Sequence, residues 1–231
     1  MSEPLTNERW LLPEGIEELL PAQAEHVERL RRELLDLFHA WGYELVIPPL
    51  IEYIESLLIG TGTDLDLQTF KLIDQLSGRL MGVRADMTPQ VARIESHRLQ
   101  RDAPARLCYI GEVLRTTPQG FLRTRSPLQM GAEIYGHAGL GSDVEVIHLM
   151  VEALHLAGVE KIHVGLGHVG IFRGLANAAG LDAAHETALF NALQRKARSE
   201  IAELLAGVAD STAASDGLLG LINLNGGVEV L

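Results

Sequence analysis

Two stretches, Ala105 to Thr116 (ARLCYIGEVLRT) and Leu128 to Tyr135 (LQMGAEIY), read as β-strands joined by the eleven-residue loop Thr117 to Pro127 (TPQGFLRTRSP). Hairpins usually turn in two to five residues, so a loop of this length between paired strands is a place to look for function. Phe70 to Asp74 and Arg79 to Ala85 form a second strand pair around the turn Gln75 to Gly78. Hairpins in series with helices between them, in place of alternating βαβ units, predict an α+β fold. Its core is a mostly antiparallel sheet flanked by helices.

The remaining elements fit that layout. Val27, Leu30, Leu34, Leu37, Phe38 and Trp41 recur at three- and four-residue steps, an amphipathic helix over residues 22–41 with Gly42 as its stop. Tyr43 to Ile47 reads as a strand halted by Pro48 and Pro49. Ile51, Ile54 and Leu58 suggest a helical stretch running into the Gly-rich loop Gly60 to Asp64. Ser142 with Glu145 is a capping-box pattern opening a helix through Ala157, ended by Gly158. Lys161 to Leu166 reads as a strand. Ala183 to Val208 reads as helix throughout, followed by a break at Ser211 to Gly217. The expected domains are a core over residues 1–180 and a helical attachment from 181 to 231.

Composition excludes several classes. With 19 Lys and Arg against 31 Asp and Glu, the net charge is −12. An acidic chain without a long basic cluster is poorly suited to nucleic acid, whose phosphates demand concentrated cations. The single cysteine, Cys108, can form neither an internal disulfide nor a Cys-rich zinc site, and its apolar strand predicts a buried, inert thiol. Residues 1–10 lack the basic and apolar regions of a signal peptide, and no apolar run approaches the ~20 residues that cross a bilayer. A cytoplasmic protein with no membrane or nucleic-acid partner is expected.

Some motifs mislead. Gly165-Leu-Gly-His-Val-Gly170 fits G-x-G-x-x-G, yet no second parallel strand ending in an acid follows, so a tight turn is the better reading than a dinucleotide site. None of the nine histidines has metal-ligand spacing. There is no nucleophile elbow or P-loop, and no cofactor or metal is expected.

Two polar segments carry more. In Val83 to Arg93 (VRADMTPQVAR), helix capping accounts for Thr88 before Pro89 but not for Arg84 and Asp86. The second segment has Arg115 at the start of the long loop, Arg123 and Arg125 inside it, and Gln129 and Glu133 on the returning strand. Gln129, Gly131 and Glu133 alternate with Leu128, Met130 and Ala132 and so share one face. A solvated sheet face is the plainer account of that strand alone. Together, though, the groups complement a free amino acid. Asp86 and Glu133 can accept an ammonium or imidazole N–H, Gln129 and Thr88 can orient it, and Arg115 can hold a carboxylate.

Over residues 8–180 the chain resembles the class II aminoacyl-tRNA synthetases, in the histidyl-tRNA synthetase branch. Gly42-Tyr-Glu-Leu-Val-Ile-Pro-Pro-Leu50 resembles motif 1, which builds the dimer interface of that class. Arg115 through Glu133 resembles motif 2, and Val83 to Thr88 resembles Leu-Arg-Pro-Glu-Gly-Thr. Asp86-Met-Thr-Pro-Gln-Val-Ala-Arg93, Asp66-Leu-Gln-Thr-Phe-Lys71, Trp10 to Ile16 and Gly165 to Phe172 are more similar to a paralogous family, the regulatory subunits of ATP phosphoribosyltransferase.

That resemblance implies a non-catalytic protein in a glycosyltransferase complex. It would act with the short-form catalytic subunit in the first step of histidine biosynthesis, self-associate through the motif 1-like segment, and convey histidine feedback. It also implies histidine-binding positions at Asp86, Thr88, Arg115, Gln129 and Glu133, with Arg123 and Arg125 as secondary loop positions. Synthetases carry Glu two residues after the motif 2 Arg to help hold ATP, whereas Thr117 stands here. The motif 3 region is absent, so residues 181–231 are expected to begin a helical insertion in a truncated chain. The competing expectation is a histidyl-tRNA synthetase or related histidine-activating enzyme.

Overall fold

The computed structural model describes residues 11–60, 63–118, 123–206, 212–224 and 226–227. They form two compact units, residues 1–162 and 163–231.

In the first unit, helix α1 (Pro21–Ala40) starts with Pro at its first position and stops at Gly42, whose φ of +82° is open to glycine without strain. It buries Leu34 and Phe38, the latter in a cluster with Tyr43, Cys108 and Leu149. Strands β5 (Ala105–Glu112) and β6 (Leu128–Tyr135) pair antiparallel in the register Tyr109 opposite Gly131, which is the hairpin expected from the sequence. The two-residue strand β1 (Glu44–Leu45) joins β5 in parallel, giving the order β1-β5-β6. The strand expected over residues 43–47 is therefore shorter. Val46 still donates to the Cys108 carbonyl (2.9 Å), but Pro48 and Pro49 have no N–H with which to extend the ladder.

A second sheet sets β4 (Leu80–Val83) between β2 (Ile51–Tyr53) and β3 (Phe70–Ile73), all antiparallel. Ile51 thus lies in a strand where helix was expected, and only Ile54–Leu57 is helical (α2). Helix α3 (Thr63–Gln68) begins within the stretch read as loop; Thr61 and Gly62 lie outside the described residues. Helix α4 (Thr88–Ile94) continues into a π-helical turn, Glu95–Leu99. Helix α5 (Leu140–Leu156) begins ahead of the predicted capping box. Ser142 instead hydrogen-bonds His137 (2.6 Å), and Glu145 is drawn across to Arg106 (2.6 and 2.8 Å) and Tyr43 (3.2 Å).

The second unit contains α6 (Val169–Ala178), α7 (Ala183–Gln194), α8 (Arg198–Ala206) and α9 (Thr212–Gly220). Phe172 and Ala176 pack with Leu189, Ile201 and Leu218, so the division falls after Ile162, ahead of the break expected near residue 180. The single helix expected over 183–208 is interrupted at Lys196, a left-handed residue with φ +54°. The predicted break at 211–217 is mostly α9 (Ser211 lies outside the described residues). Burial of Ala214 and Leu218 outweighs the weak helix propensity of Ser, Asp and Gly there. Residues 161–166, predicted as a strand, pair with no described strand, which also removes the context a dinucleotide turn would need.

Candidate functional site

The site is built on one face of β5 and β6, where two glycines make room for long polar side chains. Gly111 lies opposite Gln129, and a Cβ on it would stand 2.6 Å from the Arg84 guanidinium. Gly131 lies opposite Tyr109, and a Cβ there would collide with the phenol. Arg84 uses the first gap. It is buried, donates Nε to the Glu112 carbonyl and Nη1 to the Pro48 carbonyl (both 2.7 Å), and desolvation lowers its pKa from the usual value. It ties the strand end to the Pro-Pro segment, a structural role that the sequence reading left unexplained.

The turn leading into α4 supplies Asp86 and Thr88. The Thr88 N–H donates to Asp86 Oδ1 (3.0 Å) across the turn; Met87 is the N-cap and Thr88, expected to be the cap, is the first helical residue. Gln129 crosses from β6 with Nε2 donating to Asp86 Oδ1 (2.7 Å) and Oε1 accepting from the Met87 N–H (2.9 Å). Both ends of its amide are satisfied, so its orientation is fixed. Thr88 Oγ1 lies 3.0 Å from the Tyr109 hydroxyl. Glu133 Oε2 accepts from the Tyr135 hydroxyl, while Oε1 is buried and receives no hydrogen bond. Burial pushes both phenols well above their ordinary pKa, with Glu133's carboxylate adding to the shift.

Four of the five predicted positions therefore meet through a short polar chain, Asp86–Gln129 and Thr88–Tyr109 beside Glu133. Arg115 stands at the edge of this group, with Nε directed at the Ala85 carbonyl (3.4 Å). Arg125 turns inward. Its Nε bonds the Arg115 carbonyl (3.0 Å), its Nη1 the Glu14 carbonyl (3.1 Å), and its guanidinium lies over Phe70 (5.1 Å). Gly15 (φ +75°) lets the Glu14–Gly15 strap pass close, accepting the Arg125 N–H at 2.6 Å. Arg123 is exposed, and residues 119–122 lie outside the described residues.

An open cleft of about 600 Å³ is lined by Asp86, Thr88, Pro89 and Ala92 together with Asp64 and Leu65. A neighbouring one of about 330 Å³ includes Tyr135, Arg93 and His97. Arg93 is paired with Glu52, which also receives Gln90 Nε2 (3.0 Å), so that cation is already committed. Among the described residues, no cluster of three or more His, Cys, Asp or Glu could hold a metal ion, and no helix is long and apolar enough to cross a membrane. Sequence reading missed Tyr109, Tyr135 and Glu52. For Tyr109 a signal existed, since an antiparallel register that sets it opposite Gly131 aims the phenol across the site face.

A site of carboxylates, an amide and one peripheral arginine suits an amino acid. The histidyl-tRNA synthetase family model matches residues 15–231. The chain belongs to the histidyl-tRNA synthetase family. Among the most similar members are proteins named ATP phosphoribosyltransferase regulatory subunit, from Alkalilimnicola ehrlichii (63% identical over 96% of this chain) and Nitrosococcus oceani (60% over 99%). The chain spans 56% and 57% of those relatives' lengths. A crystal structure described as an ATP phosphoribosyltransferase regulatory subunit/histidyl-tRNA synthetase from Bacillus halodurans superposes on the whole chain and 59% of its own, with a TM-score of 0.83 at 29% identity. Apo histidyl-tRNA synthetase from S. aureus (TM-score 0.53, 22% identity, 65% of this chain and 40% of its own) shares the fold. This member of the histidyl-tRNA synthetase family thus has the α+β, class II synthetase-like core that its motif 1- and motif 2-like segments predict.

Proposed function

We propose that the chain is part of a non-catalytic regulatory subunit of ATP phosphoribosyltransferase that senses histidine. Its partner is the short-form catalytic subunit, which joins ATP to phosphoribosyl pyrophosphate at the start of histidine biosynthesis. The observation that carries the reading is the arrangement around β6. Gln129 is locked between Asp86 and the Met87 N–H, and four residues further along the same face of β6 lies a buried carboxylate oxygen of Glu133 without a donor. A buried acceptor left open favours a ligand that brings an N–H. Asp86 and Thr88 face the cleft where an α-ammonium would sit, and Arg115 is the cation for the α-carboxylate.

Absence of chemistry in this chain fits Thr117, an exposed hydroxyl in place of the synthetase Glu that helps hold ATP. Self-association is supported by the motif 1-like segment, where Ile47 and Leu50 are 79% and 52% exposed next to the Pro-Pro pair. Feedback requires that histidine bind one state of the complex more tightly than another.

The test is co-purification of the full-length protein with the short catalytic subunit, followed by phosphoribosyl transfer assayed against titrated histidine. A complex, stimulated turnover and inhibition by histidine are expected. Failure to form a complex or to stimulate transfer overturns the reading. Histidine-dependent exchange of pyrophosphate into ATP by the protein alone would establish a histidine-activating enzyme instead.

A further inference from the structure

The two oxygens of Glu133 are treated unequally. Oε2 accepts from the Tyr135 hydroxyl, and Oε1 is buried without a donor. Tyr135 stands two residues along β6, on the same face as Glu133. Its ring is half-buried, packed against the cluster of Met87, Val91, Leu107, Tyr109 and Val113. Opposite Ala105 in the β5–β6 register, it is also held by the sheet itself. A glutamate has three rotatable bonds and, left alone in a half-buried site, would turn both oxygens toward whatever donors it could find. A phenol anchored on the same strand removes that freedom, and fixing one oxygen fixes the direction of the other. The Tyr109 hydroxyl borders the same carboxylate but is shared with Thr88 Oγ1 at 3.0 Å, whereas the Tyr135 hydroxyl has Glu133 as its partner.

We propose that Tyr135 is a positioning residue whose hydroxyl clamps Glu133 so that Oε1 is presented to a ligand N–H. The pair thereby sets preference for an amino acid whose side chain carries an N–H over one of the same shape that lacks it. This rests on reading the site as a histidine site. A buried acceptor that meets no donor penalises the mismatched ligand, whereas an acceptor free to swing away penalises it little. Tyr135 therefore governs discrimination, not general affinity.

The experiment titrates the full-length protein, in complex with its catalytic partner, with L-histidine and with β-(2-thienyl)alanine, a five-membered-ring amino acid without an N–H. Tyr135→Phe keeps the ring and removes only the hydroxyl. Its histidine affinity is expected to fall about tenfold, while thienylalanine affinity stays put, so the preference for histidine shrinks by the same factor. An unchanged preference, or an equal loss for both ligands, overturns the positioning role. Wild-type protein that binds no histidine overturns the underlying reading instead. Should the Phe variant melt much lower than wild type, 3-fluorotyrosine at position 135 supplies an isosteric probe. Its fluorine resonance should move with histidine and not with thienylalanine, and equal shifts overturn the proposal.

Discussion

Replacing Gly111 by Ala measures how firmly Arg84 is held. Gly111 sits in ordinary strand backbone, so alanine carries no conformational penalty there, yet its Cβ would lie 2.6 Å from Arg84 Nη2 and 3.3 Å from Met87 Sδ. A guanidinium at the end of a free side chain would swing aside cheaply. This one is pinned by Nε on the Glu112 carbonyl and Nη1 on the Pro48 carbonyl, both at 2.7 Å. Moving it sacrifices at least one bond from a charged donor, worth about 1.5–3 kcal/mol, and leaves a carbonyl poorly satisfied. Gly111→Ala should therefore cost about 2–3 kcal/mol, or roughly 4–12 °C in Tm at about 2–4 °C per kcal/mol for a domain of this size. In an Arg84→Met background the obstacle is gone, and the same change should cost less than about 1 kcal/mol. Urea unfolding of the four proteins of this cycle gives the coupling directly. Equal cost of Gly111→Ala in both backgrounds would refute the idea that this glycine exists to admit the guanidinium.

Four further outcomes are expected. Gly131→Ala should displace the Tyr109 phenol, lowering stability by about 1–3 kcal/mol in denaturant titration and, under the function proposed above, weakening histidine binding in calorimetry. Arg106, the largest influence, and Tyr43 hold Glu145 below its ordinary pKa of 4.5. Its stabilisation is full above that value and lost as pH falls through the lower folded-state value, so wild type and Glu145→Gln should differ at pH 7 and converge in acid unfolding scans. Burial pushes the Cys108 thiol up to about 11, so at pH 8 it should resist a chromogenic disulfide reagent until the protein unfolds. Lys196→Gly should raise the unfolding free energy of its helical unit by about 0.5–1 kcal/mol, because φ of +54° strains a lysine and is open to glycine.

The sheet and the site were legible to different depths. β5 and β6 could be read because their alternation and length were complete in the local sequence, and the observed register keeps Gln129, Gly131 and Glu133 on one face. Asp86, Thr88, Gln129 and Glu133 stand out in the sequence only when taken together as a polar set complementary to an amino acid, and the structure joins the first three by hydrogen bonds. The failures are of one physical kind. The capping box at Ser142 and Glu145 is locally sound, but Glu145 has better partners in Arg106 and Tyr43, far away in sequence. Residues 161–166 have strand composition but no described strand beside them, and a strand is a property of pairs. The helix over 183–208 breaks at a lysine that no propensity scale would choose. Nothing in the sequence marks Tyr135 beyond its place at the end of a predicted strand, and only its contact with Glu133 gives the hydroxyl a purpose.

The strap at Glu14 and Gly15 has a consequence for synthesis. Its carbonyls grip Arg125 across 111 residues of chain. At about 5–20 residues per second, the strap emerges some 5–20 s before its partner is made. During that interval its backbone acceptors have only water, and the base of the Arg115–Arg125 loop cannot be set. Closure over so long a separation has to await the β5–β6 hairpin, so the segment ahead of α1 is made early and placed late. A ribosome stalled shortly before Arg125 would present the strap still open to a protease.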